Sequence, residues 1–256
     1  MVLWKPLKTC IEDLMVIKMP TKHLYQYDSY QKTFKAKVLA CNGRELILDQ
    51  TIFHPQTGGV ANDTGKIRIM GLEYEVQDVK LDHTTADIIH VLNIEPKVEI
   101  GIEVEGEINW ERRYRLMRLH TAAHILVAVM YNHYNALVTG GQVDEDEAKM
   151  DFNIPSMSKE IFEDAIRKVN EAVKMALPVK IYFLKREEAL KIPGIVKLAE
   201  RMPPELEELR IVEIEGLDVQ ADGGPHVKNT MEVGEVKLIK VQNKGKDKRR
   251  IYFTVE

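Results

Sequence analysis

From residue 25 to residue 108 apolar and polar positions alternate along the chain in short runs. Phe34-Lys-Ala-Lys-Val-Leu-Ala, Glu45-Leu-Ile-Leu, Lys66-Ile-Arg-Ile-Met, Leu72-Glu-Tyr-Glu-Val and Glu103-Val-Glu-Gly-Glu-Ile each read as a half-buried strand. Turn signals at Asn42-Gly43, Gly58-Gly59, Asp63-Thr-Gly65 and Gly71 separate the runs, and strands spaced in this way predict a small β-barrel. Asn42-Gly43 suits a tight hairpin because both residues tolerate positive φ.

The period changes at Trp110. Leu116, Leu119, Ala123, Leu126, Val127 and Met130 recur at helical spacing and predict a helix from Trp110 to about Asn135. A second helix is expected from an N-cap at Ser158 to about Ala176, with Phe162, Ile166, Val169 and Val173 on its core face. Between the two helices, Val138–Val143 and Lys149–Asn153 read as strands around an acidic turn, Asp144–Glu147. Pro178–Leu184 and Arg210–Ile214 are further strands. Arg186 to about Ala199 is a short helical stretch broken by Pro193-Gly194, and Pro203-Pro204 stops the chain. The tail reads as a hairpin, Glu235–Val241 and Ile251–Val255, around the basic turn Asn243–Arg250.

The expected class is therefore α+β: an N-terminal small β-barrel over residues 19–108, then an α/β domain over 109–256 with a mainly antiparallel sheet and helices. Residues 1–18 are read as an extension upstream of a start at Met19, with weak order. The alternative is an N-terminal strand or helix packed on the body.

Composition narrows the picture only a little. Of 256 residues, 45% are hydrophobic and 30% charged, an ordinary globular balance that allows a core of useful size. Net charge is −4, so any nucleic-acid contact must come from a local basic patch. Cys10 and Cys41 form neither a metal knuckle nor a disulfide framework, which makes a reduced, cytoplasmic setting the expectation. No run of 18 apolar residues occurs, so no membrane partner is expected.

Candidate chemistry gathers at two places. On the first helix, His120 and His124 lie four apart and so share a face, where both imidazoles can reach one metal ion. The spacing alone equally suits two half-buried histidines bonded to nearby polar groups. Far downstream, Asp222-Gly223-Gly224-Pro225-His226 holds an acid and a histidine four apart in a tight loop. They are either two more ligands or an Asx-type turn with an exposed histidine. Thr-Ala-Ala between the helical histidines leaves no glutamate to serve as base, which argues against a metalloprotease. Gly58-Gly59, after Asp49-Gln-Thr51-Ile-Phe-His54-Pro, is either a plain turn or a place where backbone approaches a ligand. Arg112, Arg113, Arg115 and Arg118 are phosphate candidates or a solvated helix face, and the basic hairpin turn is a candidate for RNA backbone.

Taken together, these motifs resemble the alanyl-tRNA editing proteins (the AlaX family, medium-sized stand-alone type) and the editing domain of alanyl-tRNA synthetase. The likeness rests on Arg112-Arg-Tyr114-x-x-Met117-Arg-x-His120-Thr-Ala-x-His124, Gly223-Gly224-x-His226-Val, Asp49-Gln-Thr-x-Phe-His-Pro-x-x-Gly-Gly, Asp63-x-Gly65 and Asp151-Phe152, from about residue 22 to the C-terminus. It implies a zinc-dependent hydrolase that trims tRNA(Ala) mischarged with serine, and by extension glycine. It also implies Zn2+ held by His120, His124, His226 and position 222. The family usually places cysteine there, in Cys-Gly-Gly-Thr-His; this chain has Asp222, which either ligates the metal or takes a proton from water. Thr51 matches a position that favours serine over alanine, a task suited to a hydroxyl-reading site. Gly58, Gly59, Arg118 and Gln142 complete the expected substrate set, and Asp222 and Thr51 the expected catalytic pair. The rival expectations are deacylation of a different mischarged tRNA and a non-catalytic tRNA-binding module.

Overall fold

The computed structural model describes residues 20–154, 159–193, 195 and 206–256. The expected extension over 1–18, the N-cap at Ser158 and the stop at Pro203-Pro204 lie outside them.

Six antiparallel strands close a barrel: β1 (Thr33–Asn42), β2 (Glu45–Leu48), β3 (Gly65–Ile69), β4 (Leu72–Leu81), β5 (Ile88–Leu92) and β6 (Glu103–Ile108), in the order β1-β2-β5-β4-β3-β6. Inward positions of the alternating runs fill it: Phe34, Ala36, Val38, Leu46, Leu48, Ile67, Ile69, Val76 and Val104 are all buried. Closure leaves no free sheet edge to protect. Beside the barrel, Lys22–His23 and Gln50–Thr51 make a short parallel pair.

The chain leaves the barrel at Ile108 and enters helix α1 (Trp110–Tyr134) within two residues. Asn109 caps it by accepting from Arg112 N at 3.2 Å, and Asn135 ends it in the left-handed region at φ 50°. From Leu116 to Met130 only Arg118 escapes burial, so α1 is covered on nearly all sides and forms the axis of the second half. Around it lie β7 (Val138–Val143), β8 (Ala148–Asn153), α2 (Lys159–Lys174), β9 (Val179–Lys185), β10 (Glu208–Ile214), β11 (Asp218–Ala221), β12 (Val236–Gly245) and β13 (Lys248–Val255). They form a four-stranded sheet, β12-β13-β8-β7, and a three-stranded one, β9-β10-β11, both antiparallel. The inner face of the larger sheet, with Ala148, Met150, Phe152, Ile251, Phe253 and Val255, packs into the same core as α1 and the apolar stripe of α2.

The architecture is α+β, as expected. Three details differ from the sequence reading. Strands β5 and β11 were not anticipated, and the helix beginning at Arg186 is a single turn ending at Ala189.

The two halves are joined by a buried ion pair. Arg113 of α1 donates Nε–H to Asp63 Oδ1 at 2.9 Å, and its other nitrogens reach the carbonyls of Ser29 (3.0 Å) and Ile52 (2.6 Å). Asp63 also accepts from His54 N at 2.6 Å. The guanidinium is fully enclosed and every contact is to an acceptor from the barrel half, so the pair fixes where α1 stands against the barrel.

Candidate metal centre

Helix α1 brings His120 and His124 onto one face, and the loop that follows β11 carries Asp222 and His226 against them. One ligand-type atom from each of the four residues lies within 4.8 Å of the others. The imidazoles of His120 and His226 stack at 4.1 Å between centroids, and His124 meets both edge-on, at 5.0 Å and 4.6 Å.

The surroundings aim each ring. His120 Nδ1 faces Pro225 O at 3.3 Å, leaving Nε2 toward Asp222 Oδ2 at 3.7 Å. His226 Nδ1 meets Thr121 Oγ1 at 3.0 Å, leaving Nε2 beside Asp222 Oδ1 at 3.2 Å. His124 Nδ1 lies 3.3 Å from the buried carboxylate of Asp218. The Pro225 carbonyl and the Thr121 hydroxyl are outer partners of the kind that fix the tautomer and direction of metal-binding histidines, whereas His124 Nδ1 makes no hydrogen bond among the described residues.

Burial pushes the His120 imidazole down to about 4, with His124 adding to the effect and Asp222 opposing it. Burial, then His120, also holds His226 well below its ordinary value. Burial acts to raise Asp222, but His120, the His226 hydrogen bond and His124 outweigh it and keep the carboxyl well below the usual range. Near neutral pH His120 and His226 are thus neutral and Asp222 is a carboxylate, and with His124 beside them the site gathers three imidazoles and one carboxylate. That donor set fits a tetrahedral divalent cation such as zinc.

The loop is built for this role. Gly224 N donates to Asp222 Oδ1 at 2.8 Å, Val227 N to Thr121 Oγ1 at 3.3 Å and Lys228 N to Tyr30 OH at 2.9 Å. A Cβ on Gly224 would stand 2.7 Å from His120 Cε1, so only glycine lets the loop lie against that ring. Pro225 contributes through its carbonyl alone, which receives His120. Arg210 donates Nη1–H to Asp222 O at 2.7 Å and Nε–H to Gln26 O at 2.8 Å. Burial lowers its pKa, and its Nη2 has no hydrogen-bond partner among the described residues.

A cavity of about 130 Å³ opens beside the cluster. Its walls include His120, His124, Asp222 and Gln220, Gly58 to Val60 from the barrel half, and Gly140 to Val143 from β7. Backbone bonds stitch the two glycine segments together: Val143 N to Gly59 O at 2.7 Å and Ala61 N to Val143 O at 2.9 Å. Gly59, at φ +85°, lies so close to Gly141 O that a Cβ would stand 2.7 Å from it.

Of the expected substrate residues, Gly58, Gly59 and Gln142 line this cavity, Gln142 with its amide on Asp144 Oδ2 at 2.7 Å. Thr51 and Arg118 do not. Thr51 is fully buried; its hydroxyl meets His90 Nε2 at 2.8 Å and receives Phe53 N at 3.1 Å. Arg118 donates to the carbonyls of Val233 (2.9 Å) and Glu256. Its neighbours are likewise engaged, Arg112 with Asn62 O and Glu145, Arg115 with Glu145 O and Thr254. Sequence reasoning missed Asp218, Arg210 and Thr121. Thr121 lay inside the histidine motif itself, whereas nothing in the pattern around Asp218 or Arg210 marked a buried partner.

Residues 15–112 match the family described as tRNA synthetases class II (A), and residues 209–252 match the threonyl and alanyl tRNA synthetase second additional domain. The chain is 48% identical to the alanyl-tRNA editing protein AlaX-M of Saccharolobus solfataricus over 237 residues, 92% of this chain and 99% of that one. It is 39% identical to AlaX-M of Methanosarcina barkeri, over 92% of this chain and 99% of that one. It is also 35% identical to the alanine–tRNA ligase of Pyrobaculum arsenaticum, over 98% of this chain but 29% of the ligase. The chain belongs to the alanyl-tRNA editing proteins of the AlaX-M type.

Proposed function

We propose that this protein edits in trans, hydrolysing the ester of tRNA(Ala) mischarged with serine, and also with glycine, in a zinc-dependent reaction in the cytoplasm. The observation that carries the reading is the convergence of His120, His124, Asp222 and His226 at the edge of a cavity walled by backbone from both halves. Family membership supplies the substrate class.

A zinc ion held by those four residues would supply Lewis acidity toward an ester carbonyl and a water molecule. The chain's own groups do the rest. Asp222 Oδ1 is engaged by Gly224 N–H, so Oδ2 is the oxygen left to hold a metal or a proton. Gly58, Gly59, Gly140 and Gly141 let the aminoacyl group run against bare backbone. The small cavity suits a short side chain, and Gln142 and Gln220 among its lining residues carry amides able to read a hydroxyl.

The test is a deacylation time course on Ser-tRNA(Ala), Gly-tRNA(Ala) and Ala-tRNA(Ala), each with and without a zinc chelator. The expected result is chelator-sensitive loss of the serine and glycine esters, with the alanine ester spared. His120→Ala should lose bound metal and deacylation together. No loss of any ester from metal-loaded protein would overturn the reading and favour a binding module.

A further inference from the structure

The four-stranded sheet has one face in the core and one that no element of the described residues covers. On the open face the register sets Gln142, Lys149, Tyr252 and Lys240 side by side across all four strands, and Gly140, Asp151, Arg250 and Gln242 in the next row. The first row begins in the wall of the cavity, because Gln142 lines it. Lys240 Nζ lies 4.3 Å over the Tyr252 ring, and Arg250 forms a two-pronged bond with Asp151 at 2.6 Å and 2.7 Å.

The β12–β13 hairpin is also where the positive charge of the molecule is concentrated. Residues 236–255 carry seven basic residues against the single acid Asp247, while the whole chain is −4; the remaining residues therefore carry −10. Lys240, Lys244, Lys246 and Lys248 are exposed, and neither they nor Lys149 form an ion pair among the described residues. Two antiparallel strands of this length span about 30 Å, at ~3.3 Å per residue. A surface ion pair is worth little, but a row of unpaired cations on an acidic protein marks a surface that meets a polyanion.

We infer that the open face of this sheet, from the hairpin tip through Lys248, Lys240, Tyr252 and Lys149 to Gln142, is a docking track for RNA backbone that leads an acceptor end to the cavity. The partner is an RNA stem held by its phosphates, without base readout, since lysine heads supply charge and no rigid fork. This rests on the editing function proposed above for the choice of RNA. It differs from that function in locating the contact away from the α1 arginines, which are bound to carbonyls, a hydroxyl and carboxylates of the fold.

The experiment compares three full-length proteins for binding to an unmodified tRNA(Ala) transcript across a salt series: wild type, Lys240→Glu/Lys248→Glu, and Lys37→Glu/Lys97→Glu. The last pair carries the same charge change on exposed barrel lysines. The hairpin variant should bind about tenfold or more weakly, with a salt slope shallower by about 2. The barrel variant should stay within about twofold of wild type. Unchanged affinity and slope in the hairpin variant would overturn the inference, as would equal losses in both variants or no binding by wild type. Deacylation by the same wild-type preparation separates the two claims. Hydrolysis with hairpin-independent binding would sink the docking track alone; hairpin-dependent binding without hydrolysis would sink the editing reaction alone.

Discussion

Asp222 stands where the family usually has cysteine, and its surroundings accommodate the exchange. One carboxylate oxygen satisfies the Gly224 N–H and the other faces His120, so the oxygen-for-sulfur change leaves no loop donor stranded. The loop depends more narrowly on Gly224. Alanine there would drive Cβ to within 2.7 Å of His120 Cε1, and the ring would have to turn away from the cluster. Gly224→Ala is expected to weaken zinc binding about 10- to 100-fold, the range seen when the groups that orient a ligand are lost. Competition with a chromogenic zinc chelator would measure it, with an unchanged far-ultraviolet circular dichroism spectrum showing an intact fold. Thr51 illustrates the reverse case, a residue whose type was legible but whose neighbours were not. Its hydroxyl joins His90 and Phe53 N inside the barrel, a contact made across 39 residues of sequence.

At the level of elements, periodicity was informative wherever one face is apolar and the other polar. The barrel strands β1 to β4 and β6, the helix α2 and the terminal hairpin all show that contrast, and all were legible; α1, buried nearly all round, was legible from the helical spacing of its large apolar residues. Strand β5 hid because its inward positions are Ile88, His90 and Leu92 while Ile89 and Val91 face outward. The polar residue is inside, paired with Thr51 and with the Leu46 carbonyl, and the alternation vanishes. Strand β11 hid for the same reason, since its buried residue is Asp218, which faces His124. Buried polar partners are a long-range property that a local pattern does not encode. The Arg113–Asp63 pair is the largest instance, and it ties α1 to the barrel. Asp63→Asn removes the only carboxylate that meets the enclosed guanidinium among the described residues. It should cost about 3–5 kcal/mol, as breaking one side of a buried pair does. Urea denaturation would record this as a lower midpoint. A loss below about 1 kcal/mol would mean that the carbonyls of Ser29 and Ile52 alone hold Arg113.

The whole molecule carries its charges unevenly, acidic over most of the chain and basic on one hairpin, and its histidines unevenly as well. Apart from the candidate metal-binding cluster, His54 and His90 are enclosed, at 1% and 0% exposure, and burial lowers each to about 4. An unfolded chain releases them to an ordinary value near 6.5, at about which each takes up a proton. Between pH 6.5 and 4 the unfolded state therefore binds more protons than the folded state, and stability falls as pH falls through that window. Above pH 6.5 the contribution is complete and flat. Each histidine accounts for on the order of 3 kcal/mol across the window, from roughly 2.5 pH units at ~1.4 kcal/mol each. Release of any bound metal in acid would mask the effect, so the measurement belongs in excess chelator, with denaturation midpoints taken at pH 7.5, 6.5, 5.5 and 4.5. His90→Gln supplies the control. It should be less stable at pH 7.5, where Thr51 loses its ring partner, yet its stability should decline more gently toward pH 4.5 because one buried proton acceptor is gone. Parallel curves for the two proteins would mean that His90 is not protonated on unfolding, and that the acid sensitivity lies in the carboxylates instead.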